Sequence, residues 1–134
     1  MVENKPVTII YHADCIDGFG AAYAAWCQFG DTANYYSIHH GQPWETAKIA
    51  GHQVFILDFS FPPNVLENMA GMAISVTQID HHVSAYQFWA DRLQAGPNGL
   101  AVHRHPTLPL TVIFDLEKSG ARLAWEHFQP ALPV

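Results

Sequence analysis

No apolar run in this sequence approaches the ~18 residues that a membrane-spanning helix requires, so a membrane partner is not expected. Basic residues are scarce: six Lys and Arg stand against twelve Asp and Glu, for a formal net charge of −6. No stripe of positive charge can therefore track a long phosphate backbone, which excludes long duplex nucleic acid as a partner for the bare chain. A bound divalent cation would change that local balance, because bound ions become the largest charges in a site. Cysteine is limited to Cys15 and Cys27, and the sequence carries no secretory pattern. Two thiols in an otherwise ordinary composition read as reduced, the expected compartment is the cytoplasm, and packing is the simplest role for both. Charged residues make up only 13% of the 134 residues while hydrophobic residues make up 49%, too apolar for disorder and well suited to a sheet buried on both faces. Histidine, by contrast, is plentiful, with nine residues.

Apolar, β-branched runs alternate with segments of helical composition. Strands are predicted over residues 7–11, 34–38, 54–57, 73–79 and 110–114, the first ending at His12, the third at Asp58 and the fourth at Asp80-His81-His82. Helices are predicted over the Ala-rich residues 19–29, over 43–50, from the proline pair Pro62-Pro63 to about residue 70, over 86–94 and over 120–128. Ala95-Gly96-Pro97-Asn98-Gly99 is a turn cluster, and His103-Arg104-His105-Pro106 with Leu108-Pro109 make the next stretch irregular. Alternation with short connections predicts an α/β domain: three layers, with a mostly parallel, Rossmann-like central sheet flanked by helices. The whole chain, residues 1–134, reads as one domain.

In such a sheet the carboxyl ends of neighbouring strands line one crevice, so His12, Asp58 and Asp80-His81-His82 are expected to converge. Singly, an Asp after a strand is as well explained as a helix cap. Pro62-Pro63 lies too far on for Asp58 to cap its helix, and several acids in one crevice are costly without a cation. Carboxylates and imidazoles together suit Mn²⁺, with Mg²⁺ or Co²⁺ as substitutes.

These residues also carry a resemblance. Ile79-Asp80-His81-His82 after a strand is similar to the motif that names the DHH phosphoesterases, a superfamily of RecJ-type exonucleases, oligoribonucleases, manganese pyrophosphatases and exopolyphosphatases. Tyr11-His12-Ala13-Asp14-Cys15-Ile16-Asp17-Gly18-Phe19-Gly20-Ala21-Ala22 resembles its first motif, Phe55-Ile56-Leu57-Asp58-Phe59-Ser60 its second, and Ser119-Gly120-Ala121-Arg122-Leu123-Ala124-Trp125-Glu126 the small-residue helix after its third. The resemblance covers residues 7–128 and implies the family's N-terminal catalytic domain. It implies two ions, expected to be Mn²⁺, that activate a water for in-line attack on a phosphodiester or phosphoanhydride. The substrate would be a small phosphorylated molecule: a small nucleotide, a short oligonucleotide or polyphosphate. His12, one or both of Asp14 and Asp17, and His81 would be metal ligands, Asp58 would bridge both ions, His82 would face the substrate phosphate, and Asp80 would orient its neighbours. Many members place two aspartates one residue apart, whereas Cys15 and Ile16 separate Asp14 from Asp17 here. Counting from His12 favours Asp14, and counting back from the turn-fixing Gly18 favours Asp17. Cys15 is expected to pack rather than ligate.

The family's fourth motif, an aspartate after the last helix of this domain, has no counterpart, since no acidic residue follows Glu126. Asp115 could stand in, although a solvated loop position suits it better. The substrate-gripping second lobe is likewise missing, so the alternative function is a catalytically incomplete metal- or nucleotide-binding module. A missing lobe would leave apolar surface near the C-terminus, and a homodimer formed through it is a further expectation. Ser119 and Gly120, at a helix start, could offer N–H groups to a substrate anion or simply cap the helix. His39-His40-Gly41 read as surface loop, and Tyr23, Trp26, Phe29, Phe88, Trp89, Trp125 and Phe128 as packing.

Overall fold

The computed structural model describes residues 5–129. Seven strands, β1 (Val7–His12), β2 (Ala33–Ile38), β3 (Gln53–Leu57), β4 (Ser75–Asp80), β5 (Gln94–Ala95), β6 (Ala101–Arg104) and β7 (Leu110–Phe114), form one sheet in the order β2-β1-β3-β4-β7-β6-β5. β2, β1, β3, β4 and β7 run parallel, and β6 and β5 add an antiparallel margin. The helices are α1 (Ile16–Phe29), α2 (Thr46–Ile49), α3 (Pro63–Ala70), α4 (Val83–Trp89) and α5 (Gly120–Phe128). The three-layer, mostly parallel α/β architecture expected from the strand–helix alternation is the one observed.

Two cores lie on opposite faces of the sheet, and the period-two alternation of β3 divides its side chains between them. Val54 and Ile56 face a core built with Ile49 of α2, Leu66 and Met69 of α3 and Trp89 of α4. Phe55 and Leu57 face the other, with Ala21, Ala24 and Ala25 of α1 and Leu123 and Ala124 of α5. Three fully buried alanines bring α1 close to the sheet. Gly20 does the same for the α1–α5 contact, where an added Cβ would meet the Ala121 Cβ at 2.8 Å.

Two segments depart from the local expectation. His103 and Arg104, predicted to open an irregular stretch, lie instead in β6 (Ala101–Arg104), which pairs with β7 and buries Val102; tertiary pairing overrides weak strand propensity there. The helix predicted over 86–94 begins earlier, at Val83, and ends at Trp89, because the amides of Arg92 and Leu93 fold back on the Trp89 carbonyl and Gln94 enters β5. The aromatic residues also divide. Trp89 is buried, and Phe29 and Phe128 pack on Phe55. Tyr23, Trp26 and Phe88, expected to pack, are exposed, and Tyr23 and Trp26 extend a stripe with Ile16 and Phe19 along α1. No helix among the described residues is long and apolar enough to cross a membrane.

Candidate metal centre

The chain passes from β1 through α1 to β2 on one side, then returns to place β3 on the other side of β1. That reversal opens a crevice outside the carboxyl ends of β1 and β3, where ligands bind in open α/β sheets. His12 is the last residue of β1, Asp58 follows β3, and Asp80 ends β4 with His81 and His82 after it. The crevice is tightly built. Gly18, in the first turn of α1, lies so close to the end of β1 that a Cβ would stand 3.0 Å from the His12 Cβ. Gly120 lies equally close to Asp58, where a Cβ would fall 2.6 Å from the Asp58 Cβ.

Asp58 is at the centre. It is buried, with a left-handed backbone (φ 56°) that costs most residues strain and that Asp and Asn tolerate best. Its two carboxylate oxygens face two different groups. Oδ1 lies 2.7 Å from His81 Nε2, which is itself 3.0 Å from Asp17 Oδ2. Oδ2 lies 3.6 Å from His12 Nδ1 and 3.6 Å from Cys15 Sγ. One imidazole N–H cannot fully satisfy two carboxylates, and His12 Nδ1, a buried atom, has no hydrogen-bond partner among the described residues. Burial pushes the Asp58 carboxyl above its ordinary pKa; the neighbouring Asp17 charge adds to the rise, and His81 opposes it.

Asp17 is held differently. Its oxygens accept the backbone N–H groups of Gly120 at 2.8 Å and Ala121 at 2.7 Å, so the first turn of α5 grips a carboxylate from α1. Burial alone would raise its pKa, but those two amides, the neighbouring Asp58 carboxyl and the His81 charge together hold it below the ordinary value. The α5 amides considered as donors for a substrate anion are thus committed within the chain. Gly120 binds Asp17, and the Ser119 hydroxyl caps α5 by accepting from the Arg122 amide.

Asp80 is fully buried. Its Oδ1 accepts the His81 amide at 2.8 Å and faces His82 Nδ1 at 2.7 Å, while Oδ2 accepts the Ser60 hydroxyl at 2.6 Å. Since an ionised carboxylate can only accept, Nδ1 of His82 carries the proton and Nε2 presents a lone pair. Gln78 Nε2 donates to Ser60 Oγ, and Gln78 Oε1 accepts the Phe61 amide, which completes a buried polar chain from β4 to the loop after β3. Ser60 and Gln78 were not foreseen. Gln78 had a readable signal: a polar residue in an apolar strand, two positions before Asp80 and so on the same face. A cavity of about 220 Å³ opens beside His82, lined also by His40, Ser60, Ser84 and Phe88. His40 is exposed on the loop after β2, as expected, and at the crevice rim it stacks on Phe59 at 4.8 Å and packs edge-on against His12 at 5.1 Å.

The structure therefore gathers His12, Asp17, Asp58, Asp80, His81 and His82 at one end of the sheet, and it leaves Asp14 out. Asp14 sits on a left-handed turn, points to solvent and pairs with the exposed His39 at 3.3 Å. Asp115 accepts the Glu117 amide and lies 3.7 Å from Lys118, occupied in its own loop.

No family model and no solved structure matches the chain. It is similar to an uncharacterized protein of Acanthamoeba polyphaga mimivirus, with 29% identity over a 146-residue alignment that covers 98% of this chain and 31% of the relative. The chain thus spans about a third of that relative's length.

The donor chemistry fits divalent cations. Donor atoms of Asp58, Asp80, His81 and His82 lie within 4.8 Å of one another, as do those of His12, Cys15 and Asp58. A buried carboxylate with a raised pKa, a buried imidazole nitrogen without a partner and one imidazole between two acids are all relieved by positive charge at Asp58.

Proposed function

We propose that this domain is the catalytic part of a divalent-metal-dependent phosphoesterase acting on small phosphodiesters or phosphoanhydrides, such as small nucleotides, short oligonucleotides or polyphosphate. The observation that carries the proposal is the two-sided environment of Asp58, with Asp17 and His81 against one oxygen and His12 against the other. A carboxylate so placed can bridge two ions, and mixed oxygen and nitrogen ligands favour Mn²⁺, with Mg²⁺ or Co²⁺ as substitutes. When bound, such a pair supplies charge neutralisation at phosphorus and a nucleophilic water at neutral pH.

The chain's own residues do the rest. Asp58, His81 and Asp17 would hold the cation at the mouth of the β1–β3 crevice, and the first turn of α5 keeps Asp17 in place through the Gly120 and Ala121 amides. Asp80, fixed by Ser60 and the His81 amide, holds the proton on Nδ1 of His82. Nε2 of His82 is then free, beside the 220 Å³ cavity, to share a proton with a phosphate oxygen or leaving group. A site with an open approach and a net acidic chain suits a small, cation-accompanied phosphate better than a duplex.

Hydrolysis of bis(4-nitrophenyl) phosphate by the full chain in Mn²⁺ tests the proposal. Turnover should depend on metal and vanish in Asp58→Asn and His81→Ala. Tight Mn²⁺ binding without turnover on this ester, oligonucleotides or polyphosphate would instead support a binding module completed by further chain, for which the greater length of the viral relative leaves room.

A further inference from the structure

We infer that Cys15 is a metal ligand, so that the position shared by His12 and Asp58 is a nitrogen–sulfur–oxygen site suited to a softer cation than its neighbour. The inference rests on the two-ion reading above and adds the chemistry of one of its two positions. Three observations carry it. The Cys15 Sγ is turned toward the crevice, 3.6 Å from Asp58 Oδ2, and donor atoms of His12, Cys15 and Asp58 all lie within 4.8 Å of one another. Neither companion is otherwise satisfied there. Asp58 is 1% exposed, yet its Oδ2 receives no oxygen or nitrogen hydrogen bond among the described residues, and the buried His12 Nδ1 has no partner. Finally, the carboxylate that could have served beside His12 is unavailable, because Asp14 lies on a left-handed turn with its side chain 87% exposed and paired with His39.

Backbone geometry explains the exchange of roles. The left-handed turn at Asp14 redirects the chain between the end of β1 and the start of α1, so the residue after it faces inward and Asp14 faces out. Cys15 then stands two positions before Asp17, on the extended residue that precedes α1. One residue serves each Asp58 oxygen: Cys15 beside Oδ2, and Asp17 across His81 from Oδ1. Coordination requires the thiolate, so binding an ion at this position displaces the Cys15 proton to solvent. A thiolate among imidazole and carboxylate ligands shifts preference from Mn²⁺ and Mg²⁺ toward Zn²⁺, Co²⁺ or Fe²⁺. The second position, at Asp17, His81 and Asp58 Oδ1, draws on oxygen and nitrogen donors and keeps a harder preference. The two positions would then differ in the ion they select.

Titration of the full chain with Co²⁺, followed by absorption, tests this without any turnover. The wild type should show weak visible ligand-field bands together with an intense near-ultraviolet sulfur-to-cobalt charge-transfer band. Cys15→Ser and Cys15→Asp should lose the charge-transfer band and retain the visible bands. Cys27→Ser should keep both, which separates the two thiols of the chain. Visible bands without charge transfer in the wild type, or a charge-transfer band that survives Cys15→Ser, would overturn the sulfur ligand and leave the two-ion site standing. No Co²⁺ spectrum at all would overturn both.

Discussion

Two histidine–carboxylate clusters sit at opposite ends of the sheet. At the end where the parallel strands begin, His105 Nε2 lies 3.0 Å from Glu67, while its Nδ1 accepts the amides of Leu108 at 3.0 Å and Thr107 at 3.2 Å. Each ring nitrogen has a partner, so the tautomer is fixed with its proton on Nε2. At the other end, His81 Nε2 faces two acids, His12 Nδ1 faces none within hydrogen-bond distance, and Asp58 is buried with a raised pKa. The first cluster ties the β6–β7 loop to α3 and is complete without help. The second leaves bonding capacity unmet among the described residues. Residue type is therefore a poor guide to function here; unsatisfied bonding capacity is a better one.

Asp58→Asn breaks that comparison most completely. Asparagine keeps the left-handed backbone conformation and the shape, and removes only the charge. Metal affinity should fall by more than the ~10–100-fold typical of outer-sphere substitutions, with phosphoesterase turnover lost. Calorimetric titration with Mn²⁺ and an assay on the chromogenic diester measure both; near-native affinity would show that Asp58 holds no ion. Ser60→Ala comes next. It removes the donor to Asp80 Oδ2, so the carboxylate that sets the His82 tautomer loses one of its anchors. A loss of ~10–100-fold in kcat is expected, with the secondary structure retained. A kcat unchanged by this substitution would detach the Gln78–Ser60–Asp80 chain from function.

His105→Ala should do the reverse. It leaves the Thr107 and Leu108 amides without their acceptor, at a cost of about 1–3 kcal/mol, read as a Tm lower by several degrees. Mn²⁺ affinity should stay at the wild-type level. A change in metal affinity without loss of stability would erase the distinction between the clusters.

The two clusters were not equally legible in the sequence. The parallel strands were, because β-branched runs such as Val54–Leu57 are long enough to specify burial on both faces, and their ends placed His12, Asp58 and Asp80. Local composition could not show which acid meets which amide. The bonds from Asp17 to Gly120 and Ala121 join residues 103 and 104 positions apart, so the start of α5 read as a donor for substrate or a simple cap, and its grip on Asp17 went unread. Asp14 faces solvent and Cys15 faces Asp58 across one left-handed turn that no side-chain pattern announces. β6 was hidden for a related reason: its short run is a strand only because β7 lies beside it.

The smallest expected effect concerns the pH dependence of stability without metal, and it separates the two acids inside the Asp58 cluster. Asp58 holds its proton more tightly folded than unfolded, chiefly because of burial, with Asp17 and Asp80 adding repulsion and His81 opposing. The folded state therefore binds more protons at this residue, and stability falls as pH rises from the unfolded-state carboxylate pKa through the higher folded one. Asp17 behaves oppositely. Its amide partners hold its folded pKa down, so its contribution is present above the unfolded value and is lost as pH falls toward the folded one. With EDTA present, Asp58→Asn should match the wild type in mild acid and gain up to a few degrees in Tm toward neutrality. Asp17→Asn should lose stability relative to the wild type over the same rise in pH, a loss partly offset because the substitution also relieves the repulsion on Asp58. Mn²⁺ should abolish the advantage of Asp58→Asn by neutralising the wild-type carboxylate. Were metal-free Asp58→Asn less stable than the wild type at neutral pH, the ionised Asp58 would be satisfied by His81 alone, and the contrast with the His105 cluster would lose its electrostatic basis.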